Sequence, residues 1–264
     1  MTYLEALLYG AVQGITEYLP ISSSAHLILL PKFMGTRDPG LAFDVFLHLG
    51  TLAATLAYFW REWRQVFVTL PFIGSHPIPG GVSWKPIALA TLPALLAGAI
   101  LHGWVETVFR GETVIMVTLV LGGVLLYASD RFASNDRAIE SLSLKDSLWV
   151  GIAQCFALVP GISRSGSTIT GGRLLGFDRA TAAKFSFLIS APVTGAAIVF
   201  EMRKWPELVN GPVGWDALLI AGVSSFVFGC IAIGGLMRML RRFGYLSFAV
   251  YRVGLAVAIY FVIR

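Results

Sequence analysis

The chain has 264 residues, of which 56% are hydrophobic and only 13% are charged, and its mean hydropathy is +0.75. A soluble protein of this size carries nearly twice that charged fraction. The composition therefore predicts a polytopic membrane protein, and it makes the net charge of +5 a sign of topology and lipid contact rather than of nucleic-acid binding. Cys155 and Cys230 lie in apolar sequence without metal-ligand spacing, so we interpret them as small buried side chains.

The first apolar segment, at about 4–30, is interrupted by polar residues. It begins without a basic region, so we expect no cleaved signal peptide. The interruption contains Gln13, Glu17, Pro20, Ser22, Ser23, Ser24 and His26. Proline removes a backbone donor and clashes with the preceding turn, so two half-helices are expected instead of one span. Such a break is tolerated at membrane depth only where protein or a wet cavity covers it. We therefore predict a re-entrant hairpin.

Uninterrupted apolar stretches follow, each close to the roughly 20 residues needed to cross a bilayer. Three precede the second broken segment and three follow it: 41–60, 86–104, 113–129, 184–202, 215–237 and 246–263.

The second broken segment, at about 147–177, resembles the first. It contains Gln154, Pro160, Gly161, Ser163, Arg164, Ser165, Gly166, Ser167 and Thr168. Each half of the chain thus has a glutamine, a proline and a serine-rich turn in the same order. The predicted fold is an all-α polytopic membrane protein with six transmembrane helices and two re-entrant helical hairpins.

One hairpin and three spans give each half an odd number of crossings, so the two halves are expected to form one membrane domain as an inverted-topology repeat. We place repeat 1 at about 1–130 and repeat 2 at about 145–264. Interrupted segments at matching positions of inverted halves indicate a binding site near the membrane midplane.

Basic residues predict the orientation in the membrane. Lys and Arg are about twice as numerous on the side that receives Arg61 and Arg238 as on the side that receives Lys32, Arg110 and Arg264. The positive-inside rule makes the richer side cytoplasmic, so both termini are expected to be extracytoplasmic.

The serine-rich turns are suited to phosphate. Their hydroxyls can cap two new half-helices, whose N-termini present free N–H groups and partial positive charge. Arg164 adds a planar donor fork for phosphate oxygens, and Gly161 and Gly166 allow close backbone approach. If the tips of the hairpins meet, these groups would form a diphosphate-binding site, with Ser22, Ser163, Ser165 and Thr168 as further substrate-binding residues.

The first hairpin offers reactive groups, and the residues leave several roles open. Ser23 and His26 are three residues apart and could meet, with Ser23 as nucleophile, His26 as base and Glu17 orienting the imidazole. Alternatively, Glu17 holds a divalent cation, or pairs with Arg164, or His26 is itself the nucleophile.

Three further residues are weaker candidates. Asp44 and His48 begin the span after the first hairpin and can line its cavity, Asp44 as a second cation ligand. We expect Arg252, in the last span, to be an interfacial residue that extends toward the membrane surface.

The motif of Gln13, Glu17, Pro20, Ser22, Ser23 and His26, and that of Pro160, Gly161, Ser163, Arg164, Ser165 and Thr168, resemble the signatures of the undecaprenyl-pyrophosphate phosphatase family of the bacitracin-resistance type. The resemblance extends over essentially the whole chain, including Tyr251-Arg252. This chain has Gln13 where the family allows Glu or Gln, so Glu17 is the carboxylate of that motif.

The resemblance implies a hydrolase of the bacterial inner membrane that converts undecaprenyl diphosphate to the monophosphate with Mg²⁺ or Ca²⁺. This activity recycles the lipid carrier for peptidoglycan synthesis and confers bacitracin resistance. Glu17, Ser23, His26 and Arg164 would be catalytic. The expected partners are the lipid substrate and membrane lipids, and Gly122-Gly123 and Gly234-Gly235 permit a homodimer.

Two rivals remain at this point. An acid-phosphatase-like lipid phosphatase would need a second histidine six residues after its arginine, where this chain has Thr170. A transporter or flippase of a phosphorylated lipid would have the same broken-helix architecture but would need no nucleophile.

Overall fold

The computed structural model describes residues 1–71, 73, 81–107, 109, 111–134, 136–209 and 213–263. In these ranges the secondary structure is helical, with no strand and one isolated β-bridge between Arg137 and Phe177. The all-α expectation is therefore confirmed. Arg110 and Arg264, which entered the charge comparison, lie outside the described residues.

The helices alternate between long apolar elements and short connecting ones. In chain order they are α1 Tyr3–Tyr18, α2 Ser23–Met34, α3 Leu41–Tyr58, α4 Trp60–Val68, α5 Trp84–Thr107, α6 Glu112–Phe132, α7 Leu144–Cys155, α8 Arg164–Leu174, α9 Arg179–Glu201, α10 Trp205–Val209, α11 Trp215–Met239 and α12 Leu246–Ile263.

Among the described residues, five helical stretches are long and apolar enough to cross a membrane: Leu41–Tyr58, Trp84–Leu101, Glu112–Phe132, Arg179–Lys204 and Trp215–Met239. Each coincides with one of the expected spans. The sixth expected span is also an apolar helix, but its apolar stretch, Leu246–Phe261, is shorter than the five spanning stretches. The chain is a multi-pass membrane protein.

Both broken segments are interrupted near their prolines. The first break separates the end of α1 at Tyr18 from the start of α2 at Ser23. The second separates α7 from α8, with a 3-10 turn at Phe156–Leu158 between them. Proline at these points removes a backbone donor that a continuous helix needs, which explains why each segment forms two shorter helices.

Small residues let the first broken segment pack closely on α11. A Cβ atom on Gly14 would lie 2.6 Å from the carbonyl oxygen of Ser225 and 2.7 Å from the nitrogen of Gly229. On α3, a Cβ on Gly50 would lie 2.7 Å from the Cβ of Ser225. Such contacts between helix backbones are typical of membrane proteins, where packing replaces the hydrophobic effect as the cause of association.

A polar cluster around Asp130 joins several helices near the end of α6. Asp130, near the end of α6, accepts hydrogen bonds from Arg179 at 2.7 and 3.0 Å and from the backbone nitrogen of Tyr245 at 3.1 Å. Arg173 is fully buried and lies 3.3 Å from the same carboxylate. The cluster therefore connects α6, α8, α9 and the start of α12.

Beside this cluster, Arg137 forms an ion pair with Asp146 at the start of α7, with a closest distance of 2.7 Å. Burial alone raises the pKa of Asp146, but hydrogen bonds from Arg137 and Ser143 outweigh it and hold that pKa below its ordinary value. Asp146 is therefore a charged cap at the N-terminus of α7, where negative charge is favourable.

The contact of α1 with α11 predicts the effect of Gly14→Ala. The added methyl group meets backbone atoms that cannot rotate away, so we expect a loss of about 1–3 kcal/mol in the free energy of unfolding. Thermal unfolding in detergent measures the change. Gly254→Ala is the matched control, because nothing lies within 4 Å of its Cβ position, and it should leave the melting temperature unchanged or slightly raised. Equal melting temperatures for both variants would contradict the close packing.

Candidate active site

The two breaks touch each other inside the protein. The backbone nitrogen of Gly161 donates to the hydroxyl of Ser22 at 3.1 Å. In the opposite direction, the hydroxyl of Ser165 donates to the carbonyl of Leu19 at 3.2 Å. Each bond joins one broken segment to the other, so the predicted meeting of the two tips is observed.

Each break contains a serine with a strained backbone conformation. Ser22 has φ of 75° and Ser163 has φ of 72°, and in the described part of the chain they are the non-glycine residues with positive φ. Each caps the helix that follows, since the Ser22 hydroxyl accepts from Ala25 N at 3.4 Å and that of Ser163 from Gly166 N at 3.1 Å. Strain of about 1–3 kcal/mol per residue persists only where the surrounding contacts enforce it, and such residues are common at functional sites.

A cavity of about 270 Å³ opens in front of these two caps. Its polar lining comes from both broken segments, from the start of α3 and from α9: Glu17, Ser22, Ser23, Ser24, Asp44, His48, Gln154, Ser163, Arg164 and Thr194. The N-termini of α2 and α8 therefore lie beside one polar space, with Arg164 at its edge. Free N–H groups and partial positive charge at two helix ends favour an anion there.

Glu17 is the centre of the polar contacts in this cavity. Its side chain is buried, and one oxygen, Oε1, pairs with Arg164 across the two breaks. The other oxygen, Oε2, accepts from Ser23 Oγ at 2.6 Å and from Gln13 Nε2 at 3.1 Å, and lies 3.4 Å from His48 Nε2. A short hydrogen bond from a hydroxyl to a carboxylate is the geometry expected of a nucleophile beside its base.

The expected contact between Ser23 and His26 is not observed. His26 Nδ1 lies 2.7 Å from the carbonyl of Ser22, and its Nε2 lies 2.7 Å from the hydroxyl of Tyr251, on which the imidazole also stacks. Ser23 instead bonds Glu17, whereas the ring of His26 is directed to Tyr251 of α12. The histidine beside Glu17 is His48.

Of the remaining predicted site residues, one lines the cavity and three do not. Asp44 is buried and lines the cavity, as expected of a site residue. Thr168 bonds the hydroxyl of Ser186 at 2.6 Å and the carbonyl of Arg164 at 2.8 Å, so it joins α8 to α9. Gly161 and Gly166 lie at the second break but are not among the residues that line the cavity.

The expectation for Arg252 was wrong. Its side chain is fully buried and donates to carbonyls at both breaks, whereas we expected it to extend to the membrane surface. Gln154, whose Oε1 has no described hydrogen-bond partner, was recognised only as a repeat marker, yet it lines the cavity.

The arrangement around Glu17 does not fit a divalent cation. Among the described residues, no group of three or more His, Cys, Asp or Glu side chains could hold a metal ion. Both oxygens of Glu17 already accept from donors, one of them the Arg164 guanidinium. A cation at Glu17 would meet a positive charge, so we derive no step through a metal.

Comparison with known proteins shows similarity along the whole chain. A family model described as "Bacitracin resistance protein BacA" matches residues 6–258. A protein of Gemmatimonas aurantiaca named undecaprenyl-diphosphatase is 44% identical over 264 residues, which cover 98% of this chain and 97% of the relative. Proteins of the same name from Moorella thermoacetica and Thermomicrobium roseum are 43% and 42% identical, with at least 97% of each chain covered.

The double role of the Ser22 hydroxyl predicts a loss of stability in Ser22→Ala. The variant keeps the Cβ and thus the backbone strain, but it leaves the nitrogens of Ala25 and Gly161 without their acceptor, at a cost of about 1–3 kcal/mol. Chemical unfolding in detergent measures the difference. Ser24→Ala is the control, since the described hydrogen bond of the Ser24 hydroxyl is the one to the hydroxyl of Ser22, at 3.2 Å, and no backbone nitrogen depends on it among the described residues. If the two variants are equally stable, Ser22 does not hold the breaks together.

Proposed function

The chain belongs to the bacitracin resistance protein BacA family, and we propose that it is an integral-membrane undecaprenyl-diphosphatase. It hydrolyses undecaprenyl diphosphate to undecaprenyl phosphate and inorganic phosphate. The reaction recycles the lipid carrier for peptidoglycan synthesis and removes the form that bacitracin sequesters. The observation that carries the proposal is the cavity in which Ser23, Glu17 and Arg164 lie beside two helix N-termini.

Substrate binding begins with an exchange of partners at Arg164. In the structure its guanidinium pairs with Glu17. A diphosphate in the cavity offers more negative charge and a geometry that suits the bidentate fork of arginine. Arg164 then binds the terminal phosphate together with the N-terminus of α8, and the same move frees one oxygen of Glu17.

The chemical step uses Ser23 as nucleophile and Glu17 as base. As the Ser23 oxygen attacks the terminal phosphorus, its proton passes to Glu17 Oε2, 2.6 Å away. The bond from phosphorus to the bridging oxygen breaks, and its electron pair leaves with undecaprenyl phosphate. Arg164 and the backbone N–H groups at the two helix N-termini stabilise the charge on the phosphoryl oxygens.

Hydrolysis of the phosphoserine completes the cycle. Water attacks the phosphorus, the bond to the Ser23 oxygen breaks, and Glu17 returns its proton to that oxygen, while both protons of the water leave with the inorganic phosphate. Gln154 and His48 line the cavity from which this water comes. In this scheme His26 positions α2 through Tyr251, and it acts as base only if its ring leaves that hydroxyl.

The proposal also includes a divalent cation. We propose that Mg²⁺ or Ca²⁺ would arrive bound to the diphosphate itself and not to Glu17, which serves Ser23 as base. Asp44 is the further carboxylate in the cavity lining. The cation would neutralise part of the diphosphate charge as it enters a cavity of low dielectric.

An apolar cavity beside the site supports a lipid substrate. It has a volume of about 430 Å³ and shares lining residues with the polar cavity, including Val45, Leu158 and Ala197. It continues between α3, α5 and α9. We propose that the first isoprene units of the polyprenyl chain lie there while the diphosphate reaches the breaks.

The matched breaks also support the inverted repeat that we proposed for 1–130 and 145–264. The pairs Ser22 with Ser24 and Ser163 with Ser165 have nearly equal hydroxyl distances, 3.2 and 3.1 Å, and the capping serines have nearly equal φ angles. We propose six spans and two re-entrant hairpins in the bacterial inner membrane, with extracytoplasmic termini. A homodimer is part of the same proposal, but not through Gly122-Gly123, which is buried against Arg252 and Ala249 of α12.

Release of phosphate from undecaprenyl diphosphate tests the function. Purified wild-type protein in detergent should release phosphate with Mg²⁺ or Ca²⁺, and EDTA should stop it. Ser23→Ala and Glu17→Gln should lower kcat by about 10²–10⁴, since they remove the nucleophile and the base, and Arg164→Ala by about 10²–10³.

Ser167→Ala is the matched control for Ser23→Ala. Its hydroxyl bonds the carbonyl of Arg164 at 3.1 Å and lies outside the cavity lining, so near wild-type turnover is expected. Wild-type protein that binds the lipid diphosphate without hydrolysing it would contradict the phosphatase and favour the transporter.

The apolar cavity predicts the effect of Ala197→Trp. A bulky ring there fills the space shared by the two cavities, so KM for a long polyprenyl diphosphate should rise about tenfold or more, while KM for a short-chain diphosphate changes less. The tenfold figure corresponds to about 1.4 kcal/mol of lost binding. Steady-state kinetics with both substrates measures the difference. Val199→Trp, on the exposed side of the same helix, is the control, and an equal effect of both variants would place the chain elsewhere.

A further inference from the structure

Arg252 of α12 is a fully buried cation whose described partners are all backbone carbonyls. Its guanidinium donates at 2.7–3.3 Å to oxygens from three parts of the chain. These acceptors are the carbonyls of Pro20, Thr118, Leu119, Gly161 and Ile162. One side chain thus contacts both breaks and α6 at once.

We propose that Arg252 is a positioning residue that fixes the separation of the two breaks, and with it the distance between Ser23 and the phosphate site at Arg164. The inference rests on the proposed phosphatase function. Arg252 is not among the residues that line the cavity, so it acts on the reaction through the breaks and not by touching the substrate.

The chemistry of the breaks explains why an arginine is suited to this position. In the breaks, the carbonyls between one helix and the next have no helical N–H to accept from, so inside the protein each needs another donor. Pro20, Gly161 and Ile162, which lie just before the capping serines of α2 and α8, supply such carbonyls. A planar guanidinium can donate to several of them in different directions, whereas the lysine ammonium is a compact point charge with three donors.

The two faces of the breaks therefore have opposite polarity. The N-termini of α2 and α8, with their positive ends, face the cavity. The freed carbonyls point to the other side, where Arg252 binds them. Its neighbours leave no room for displacement, because a Cβ on Gly122 would collide with the guanidinium and one on Gly166 would lie 2.9 Å from Nη1.

Besides the Glu17–Arg164 pair, which the substrate replaces in the proposed mechanism, two described hydrogen bonds join the breaks directly. One joins Ser22 to Gly161, and the other joins Ser165 to Leu19, so the contribution of Arg252 to the geometry of the breaks is large once substrate is bound. Each involves a serine hydroxyl, which can rotate. A shift of about 1 Å between nucleophile and substrate can lower a rate by about 10². Loss of the Arg252 bridge should thus lower kcat more than it raises KM.

The sharpest test displaces the guanidinium without removing it. Gly122→Ala pushes against Arg252, whereas Gly123→Ala, one residue further along α6, brings its Cβ no closer than 3.4 Å to any atom. A second pair compares Arg252→Lys with Arg173→Lys. Arg173 is equally buried but contacts the Asp130 cluster and not the breaks.

Two readouts are needed: kcat and KM for undecaprenyl diphosphate, and hydrogen exchange of the segments 17–26 and 158–168. We expect Gly122→Ala and Arg252→Lys to lower kcat about tenfold or more with a KM change below about threefold. Exchange at both breaks should become faster in these variants, and neither control should show these changes.

The exchange measurement separates this inference from the proposed function, because it does not require turnover. Inactive wild-type protein whose two breaks exchange faster in Gly122→Ala would overturn the phosphatase and keep the Arg252 bridge. Active wild-type protein with kcat in Gly122→Ala within about threefold of that in Gly123→Ala, or with unchanged exchange at both breaks, would overturn the role of Arg252.

Discussion

The structure depends on the need to satisfy backbone polar groups where two apolar helical segments are interrupted inside the protein. Neither the protein interior nor the lipid offers water to these groups, so each free N–H or C=O must find a partner in the protein. The two breaks supply many of these partners to each other. Gly161 donates to Ser22, Ser165 donates to Leu19, and Arg252 bridges the carbonyls of Pro20 and Gly161. The contacts that make the breaks tolerable are therefore the contacts that bring the two halves of the site together.

The buried charge pair in the cavity follows from the same constraint. A carboxylate such as Glu17 is costly in a membrane interior unless a cation and hydrogen-bond donors surround it, and here Arg164, Ser23 and Gln13 do so. The pair spans both broken segments, so it contributes to holding them together before substrate arrives. In the mechanism we propose, a diphosphate replaces Glu17 as the partner of Arg164 and leaves the carboxylate beside the serine that loses a proton. The same interaction would then contribute both to the stability of the protein and to its catalysis.

Local chemistry made much of this predictable from the sequence. Pro20 and Pro160 interrupt apolar segments and so locate both breaks, the serines after them locate the caps, and long apolar runs locate the spanning helices. Arg164 and Glu17 could be recognised because charges at membrane depth are rare and costly. Residues whose roles depend on distant neighbours were missed. The spacing of Ser23 and His26 permits a contact, but Tyr251, far along the chain, turns the imidazole away. Nothing near Arg252 in the sequence indicates that Pro20 and Gly161 lie beside it.

The most direct test of the account is the identity of the phosphorylated residue during turnover. Wild-type protein is mixed with undecaprenyl diphosphate labelled in the terminal phosphate, quenched within milliseconds and analysed by mass spectrometry of its peptides, at both acidic and alkaline quench so that phosphoserine and phosphohistidine each survive in one of them. The account predicts label on Ser23, absent in Ser23→Ala and accumulating when the second step is slowed. Label on His26, or hydrolysis without any labelled residue, would contradict the assignment of Ser23 as the nucleophile held between the two breaks.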